Sequence, residues 1–583
     1  MIKHLKIYYD GSCHLCQNYV KFLRLKSTVE RVELVNLRTS EKRVQDFNAM
    51  GMDVDQGMIV DIDGETHFGD KAIFVLAGLS SQSNLWNRIN AWLFASGFFT
   101  RLLYPFMRLF RNTLLFAQGT QKLNASPQQE DLSLFKIFTL VWGLLGFLHF
   151  VVYFTQFDAP IFPTTIVIPI LGIILALKVG SKRIFALLCV VMIIDGWLQM
   201  PSLSNHTILK NFFLLALMVS ALWHGLKGSS WRLFFADLAI AGRFLLLTMY
   251  IFGVFHKINA DFINPETSCA VALWEAMPFP FHNIDARWFA PAAIYGTYVA
   301  ELAILGLLLY KPLRDLGVFL GIVFHSLLAL SGYAFYPPFS TLTIALHVLF
   351  LGSSARHIAS SREWLGLEQK LTRPFGVSLL LVYCGSVFLL AWLGQYSLAA
   401  YVWLWAVVIF ACLLFINREK AASRGQKWTR LFSSNHGVTA VVLLFFFNCT
   451  TPYLGLKTAQ SINMFANLRL EAGQSNHLIL RNAPRPFDYL EGVVEITGST
   501  GYPYFNYIQQ ENLRLTYYDF LSRIEAHRHI TVSYIKDGTS YTHYNYEQLQ
   551  QDIEATLHPR WVRKWFHFNP VDLTAPKACA LNR

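Results

Sequence analysis

Apolar and polar positions alternate along this chain in three different ways. Up to about residue 123 the apolar runs are short. Lys6 to Tyr9, Val32 to Leu37 and Met58 to Ile62 predict strands, the last leading into the hairpin pair Asp63-Gly64. Gln17 to Leu25, Lys71 to Leu79 and Leu85 to Phe116 carry helical spacing. The last segment is rich in Trp and Phe but interrupted by Arg88, Arg101, Arg108 and Arg111. It predicts an amphipathic element that packs on the domain or lies on a bilayer, not a span. The polar stretch Asn124 to Asp131 is a linker.

From Leu132 to about Leu456 come eleven apolar runs long enough, or nearly so, to cross a bilayer: 134–156, 163–178, 183–199, 209–225, 233–256, 288–310, 315–334, 339–353, 374–395, 398–416 and 437–455. Lys and Arg collect in alternate loops, at 178–183 (KVGSKR), 226–232, 311–314 (KPLR), 354–373 and 417–434. The positive-inside rule then sets the N-terminus inside and the C-terminus outside, which an odd number of spans requires. After Leu456 the runs shorten again. Gly492 to Thr497, Leu513 to Tyr518 and His529 to Ile535, with the turn pair Asp537-Gly538, predict a small, β-rich outer domain. The expected architecture is a polytopic α-helical membrane bundle of about eleven spans (132–456), an N-terminal α/β domain (1–123) and a C-terminal extracytoplasmic domain (457–583).

Composition agrees with that pattern. Of 583 residues 54% are hydrophobic and 15% charged, which suits a membrane protein and not one soluble globule. The formal charge of +12 sits in the alternate loops, so the partner it implies is the lipid bilayer and not a nucleic acid. MIKHLKIYYDG lacks the apolar core of a signal peptide, so the N-terminus is expected to fold in the cytoplasm of a bacterial-type cell, with the bundle in its inner membrane. Eight scattered cysteines are too few for a disulfide framework.

Cys13 and Cys16 are spaced as a pair where a strand gives way to a helix. A thiol at a helix N-terminus meets unpaired N–H groups, which favour thiolate. Cys13 is the expected attacking thiol and Cys16 the resolving one. Two other readings stay open: a partial metal site with His14 and His4, although zinc needs a second ligand pair, and an inert pair. The run YYDGSCHLCQNYVKFL resembles the DCC family of thioredoxin-like proteins, with its aromatic-Asp-Gly-x-Cys-x-x-Cys signature. GETHFGDKAIFVLAGL is similar to that family's second block. The resemblance spans most of residues 5 to 120 and implies a thiol–disulfide oxidoreductase with Asp10, Cys13 and Cys16 as functional positions.

Within the bundle, polar groups occur at depth: His149, Asp195, Arg243, Tyr250, His256, Lys257, Glu301, His325 and His347. Arg243, Tyr250 and Lys257 are seven residues apart and share a helical face. Structural ion pairs and interhelical hydrogen bonds are the plain alternative for each. Lys257, beside His256 at the outer mouth, is a candidate base, or else a lysine that snorkels to the interface. RFLLLTMYIFGVFHKINADF is similar to the Arg…Tyr…Gly…Lys pattern of the HTTM domain, related to vitamin K-dependent γ-carboxylase. VFHSLLALSGYAF and TPYLGLKTAQSINMFANLRLEAGQSNHLIL also look like blocks of that domain, over roughly residues 132 to 485. That resemblance implies Lys257 as base and a quinone, vitamin K-like, as the transferable cofactor. On the outer side Cys269 could pair with Cys449 or Cys579; Cys189, Cys384 and Cys412 are expected to pack as apolar residues.

Together these readings lead to a membrane-bound thiol–disulfide oxidoreductase whose partner is a cytosolic thiol or disulfide protein, or a small thiol. Its bundle would handle a quinone-like reaction. With the dithiol inside and Lys257 outside a bilayer about 30 Å thick, the two would need a carrier between them. One alternative is a γ-carboxylase-like or epoxidase-like enzyme acting through Lys257. The other is a non-enzymatic transporter or assembly factor.

Overall fold

In the computed structural model, residues 2–13, 16–17, 29–55, 57–80, 88, 94, 96–97, 100–101, 103–105, 107–108, 111, 123, 132–155, 161–201, 203–278, 286–331, 335–352, 354–418 and 435–579 are described. Two units divide the chain, Met1–Asp131 with Leu217–Leu238, and Leu132–Ala216 with Ala239–Arg583.

In the first unit each strand-like run becomes a strand: β1 (Ile2–Tyr9), β2 (Val29–Asn36) and β3 (Ile59–Ile62). The Asp63-Gly64 pair, both at positive φ, turns β3 into β4 (Glu65–Phe68). Sheet order is β2-β1-β3-β4, with β1 and β2 parallel and the other pairs antiparallel. This is a small α/β region built on a mixed sheet. The expected second helix forms as α2 (Asp70–Leu79), and its Ala72, Ile73 and Leu76 close over Leu5, Ile7 and Val60 of the sheet. Of the two placements expected for Leu85 to Phe116, the described residues take the first. Phe94 is buried in this core, with Leu103, Tyr104 and Met107 packed against it. The expected helix over Gln17 to Leu25 lies, beyond Gln17, outside the described residues. A helix that the pattern did not predict, α1 (Glu41–Ala49), follows β2.

In the second unit, and in the turn of the first, all eleven apolar runs are helical: α3 (Ser133–Thr155), α4 (Pro163–Leu177), α5 (Lys182–Gln199), α6 (Asn205–Leu226), α7 (Trp231–Lys257), α9 (Ala286–Leu309), α10 (Arg314–Ala329), α11 (Pro337–Val348), α13 (Pro374–Trp392), α14 (Tyr396–Ile416) and α15 (His436–Thr450). Two shorter helices, α8 (Cys269–Glu275) and α12 (Arg362–Leu371), lie between these in the chain. Among the described residues, seven helices are long and apolar enough to cross a membrane: α3, α6, α7, α9, α10, α13 and α14. The other four differ from the expectation for simple reasons. α4 and α15 have 15 residues, α11 has 12, and α5 carries Lys182, Arg183 and Asp195. Fifteen residues rise only about 22 Å at ~1.5 Å each.

Helix α4 packs closely on α3. A Cβ on Gly143 would lie 2.6 Å from the Gly172 carbonyl, and one on Gly172 2.5 Å from that of Gly143, so only glycine admits this approach. Contacts at the helix termini sort into two ends. At one, Lys136 pairs with Glu368 at 3.1 Å, the Gly180 N–H donates to Thr139 Oγ1 and Ser354 Oγ to Asp315. At the other, Gln460 Nε2 donates to the Leu203 carbonyl, the Ile462 N–H to Asn205 Oδ1, and the Leu478 N–H to the Ile258 carbonyl.

Cys269 is disulfide-bonded to Cys579, which decides between the two partners the sequence left open. Cys449 is a buried free thiol. Cys189 and Cys384 are buried as expected, but Cys412 is exposed on its helix face and so does not pack inside the bundle.

The C-terminal region is β-containing, with more helix than the sequence suggested. β5 (Val493–Thr500), β6 (Arg514–Thr516), β7 (Thr531–Lys536) and β8 (Thr539–Tyr544) form an antiparallel sheet in the order β6-β5-β7-β8. Helices α16 (Pro503–Gln510), α17 (Tyr517–Ala526) and α18 (Tyr546–Thr556) pack against it through Phe505, Ile508, Phe520, Leu521 and Leu549. The expected strand Leu513 to Tyr518 splits at Thr516, whose hydroxyl accepts the Asp519 N–H and caps α17.

Candidate functional sites

The dithiol lies at the end of β1. Gly11 N–H donates to Asn36 Oδ1 at the end of β2, and a Cβ on Gly11 would stand 2.2 Å from that side chain, so the turn admits only glycine as built. Ser12 N–H donates to Asp10 Oδ1, and Cys13 N–H to the Asp10 carbonyl. Asp10 is buried. Its carboxylate takes two bonds from Arg38, at 2.8 and 3.0 Å, and a longer one of 3.5 Å from Arg111. It therefore braces the loop against two arginines; its direct contacts are with them and with Ser12.

Cys13 and Cys16 are both free thiols, Cys13 only 2% exposed and Cys16 half-buried. The Cys16 N–H donates to Cys13 Sγ at 3.1 Å. The Cys13 thiol is lowered to about 7: the hydrogen bond from the Cys16 side chain is the largest cause, burial opposes it, and the Cys16 N–H and the Arg111 charge add to it. Cys16 is pushed strongly upward, first as the donor of that bond and then by burial. The pair is thus asymmetric, one sulfur inclined to thiolate and its neighbour held as thiol. Arg38 and Arg111 were missed from sequence. Arg111 sits in the segment whose arginines looked like breaks in an apolar face, yet it is buried and its guanidinium also donates to the Asp55 carbonyl. Among the described residues no group of three or more His, Cys, Asp or Glu could hold a metal ion; His14 lies outside them.

In the bundle, Lys257 closes α7. Its Nζ donates to Glu301 Oε1 at 2.8 Å, to Oε2 at 3.0 Å and to the Gly253 carbonyl at 2.9 Å. These bonds use the three donors of an ammonium group, and both side chains are nearly closed from solvent. Two turns back, Tyr250 Oη lies 2.9 Å from His325 Nε2 and 3.1 Å from His347 Nε2. Tyr250, Lys257, Glu301 and His325 border one cavity of ≈ 300 Å³, otherwise lined mainly by apolar side chains such as Leu209, Met249 and Phe324. Helix α8 supplies part of its wall through Leu273 and Trp274, and Asn205 and His206 border it from α6.

The other sequence candidates are elsewhere. Arg243 Nε donates to the Leu349 carbonyl at the end of α11, so it shares a helix face with Tyr250 and Lys257 but does not line the cavity. His256 Nδ1 meets Tyr453 Oη and its Nε2 the Ser461 carbonyl. His149 Nε2 lies 3.2 Å from Lys210 Nζ, and Asp195 accepts from the hydroxyls of Thr164 and Thr165. Lys210 and His206 were missed: both fall at the start of α6, where polar residues read as the edge of the apolar run.

Residues 7–117 match the family model described as DCC1-like thiol-disulfide oxidoreductase, so the first unit carries a domain of that kind. No curated protein and no solved structure gives a significant match to the chain.

Proposed function

We propose that this chain is a multi-pass membrane thiol–disulfide oxidoreductase whose thioredoxin-like head works through Cys13 and Cys16. The observation that carries the reading is the polarised pair of sulfurs, Cys13 lowered to about 7 beside a Cys16 held protonated, inside the segment similar to DCC1-like domains. The Cys13 thiolate attacks one sulfur of a partner disulfide, whose S–S bond breaks and whose other sulfur leaves as thiolate. That thiolate takes the Cys16 proton. Cys16 then attacks Cys13 Sγ, the mixed disulfide breaks, and the second partner sulfur departs and is protonated. Two electrons pass from the head to the partner, and the head keeps a Cys13–Cys16 disulfide. The partner class is a cytosolic disulfide protein or the disulfide of a small thiol; a cytosolic thiol protein or small thiol would return the two electrons to the head. Purified protein incubated with a small disulfide, then alkylated, tests this: Cys13–Cys16 disulfide should accumulate with release of two thiols per disulfide consumed. Failure to oxidise would remove the reading.

A second reading concerns the bundle. The cavity has the apolar body and few convergent polar groups that suit a quinone-like ligand. Lys257, Tyr250 and His206 would hold its polar edge, and a bound quinone would supply two-electron redox chemistry. Glu301 keeps Lys257 in place and is the nearest group to take its proton, so proton acceptance at Lys257 would begin with the pair. The HTTM-like and carboxylase-like aspects rest on the sequence blocks. Mass spectrometry of extracted protein for a co-purifying prenylated quinone checks this reading, and Lys257→Ala set against Cys13→Ser separates it from the first.

The proposed location is a bacterial inner membrane, N-terminus inside. Several observations support crossing by all eleven helices. The basic stretches 178–183, 311–314 and 354–373 lie at contacts of one helix end, Gly180–Thr139, Ser354–Asp315 and Lys136–Glu368, while Leu203, Asn205, Ile258 and Cys269 gather at the other. A disulfide between Cys269 and Cys579 fits an oxidising far side.

A further inference from the structure

The segment from Pro559 to Phe566, PRWVRKWF, is not used by either site. Arg560–Arg563 is one helical turn, and residues 564 and 565 continue it as a turn. Trp561 and Trp565, four apart, fall on one side and are 64% and 44% exposed. Arg560 and Lys564, also four apart, fall beside them. Arg563 is turned inward to Glu525, which also meets Arg560 at 3.2 Å. With Arg528 also near Glu525, three arginines surround one acid.

A contact within the unit fixes the level of this segment. Lys564 Nζ donates to the carbonyl of Trp197 at 2.8 Å and stands 5.0 Å from the centre of its indole. Trp197 is near the C-terminal end of α5, below which Leu187, Val190 and Ile194 are exposed apolar residues on the same helix. Trp288 at the start of α9 and Trp392 at the end of α13 are further exposed indoles at helix termini, while Trp405 lies midway along α14. Two solvent-facing indoles with adjoining cations, tied to the rim of an apolar helix, match the interfacial zone of a bilayer, where indoles lie at headgroup depth and cations meet phosphate.

We infer that residues 559–566 form a foot that binds the anionic phospholipid headgroups of the leaflet at that end of the bundle, Trp561 and Trp565 entering the interface and Arg560 and Lys564 meeting phosphate. This rests on the multi-pass reading. A soluble protein partner, the other occupant such a patch could take, fits less well, because Lys564 and Trp197 hold the segment at the rim of the apolar helices.

The test uses full-length protein in liposomes of phosphatidylcholine with or without phosphatidylglycerol, carrying lipids brominated near the headgroup or deep in the chain. Subtracting the fluorescence of the double variant Trp561→Phe/Trp565→Phe from that of the parent isolates the two indoles. The expected difference signal is quenched more by shallow than by deep bromine, is shielded from aqueous iodide, and strengthens with phosphatidylglycerol. Lys564→Gln should remove most of that lipid dependence. A difference signal quenched by iodide and by neither bromine overturns the foot. Alkaline carbonate extraction separates the two failures: protein that leaves the membrane defeats the multi-pass reading, whereas protein that stays with iodide-quenched indoles defeats the foot alone.

Discussion

Lys257 and Glu301, 44 positions apart in sequence, form a two-pronged ion pair at 2.8 and 3.0 Å on the wall of the bundle cavity. Neither charge is exposed enough to be well hydrated, so each depends on the other. Breaking such a pair from one side leaves a buried charge and costs about 3–5 kcal/mol, while exchanging both members for apolar residues costs far less. Lys257→Met and Glu301→Leu should each lower the midpoint of thermal unfolding in detergent sharply, and the double variant should recover most of the loss. Equal losses adding in the double variant would mean that the two groups do not interact.

At the dithiol the direction of pH dependence follows from the lowered Cys13. Its alkylation rate should rise with pH, reach half its plateau near pH 7 and level off below the range of an ordinary thiol, about 8.5. The thiolate is favoured in the folded head. Its contribution to stability is therefore complete above the ordinary value and is lost as pH falls through about 7. Cys16→Ala removes the largest cause and should move the midpoint upward. Asp10→Asn removes a charge that opposes the thiolate, and should move it downward. Iodoacetamide kinetics across pH 5 to 10 read both shifts.

The disulfide makes a covalent claim that peptide mapping can check. Digestion without reductant should yield one linked pair containing Cys269 and Cys579, with Cys449 alkylated only after unfolding. Cys579→Ser should lower thermal stability, since the bond closes a loop of 310 residues and such constraint contributes roughly 2–5 kcal/mol. A linked peptide containing Cys449 would contradict the pairing.

Close packing of α3 on α4 predicts a steric effect without chemistry. Gly172→Val places methyl groups where the Gly143 carbonyl already stands, so the helices must separate. The variant should unfold at lower temperature, whereas Gly296→Ala, facing open space, should not.

Local periodicity made most elements legible. The short strand-like runs Lys6 to Tyr9 and Met58 to Ile62 foretold β1 and β3, and every apolar run between 134 and 455 became a helix. What periodicity cannot carry is partnership. Nothing near Arg111 in sequence shows that it turns in beside Cys13 and Asp10, and nothing near Lys257 points to Glu301 on another helix. Arg243 shows the converse: its spacing from Tyr250 is right for a shared face, but the bundle gives that depth of the face to the Leu349 carbonyl. Thr516 shows how one capping hydroxyl turns an apparent strand into a helix start.

The most direct test is to trap the attacking sulfur. In Cys16→Ser protein mixed with a disulfide-bonded substrate at pH 7, Cys13 should form a mixed disulfide that persists, while Cys13→Ser protein should form none. Trapping through Cys16 in the Cys13→Ser variant, or no mixed disulfide in either, would contradict the assignment of Cys13 as nucleophile and with it the thiol–disulfide account.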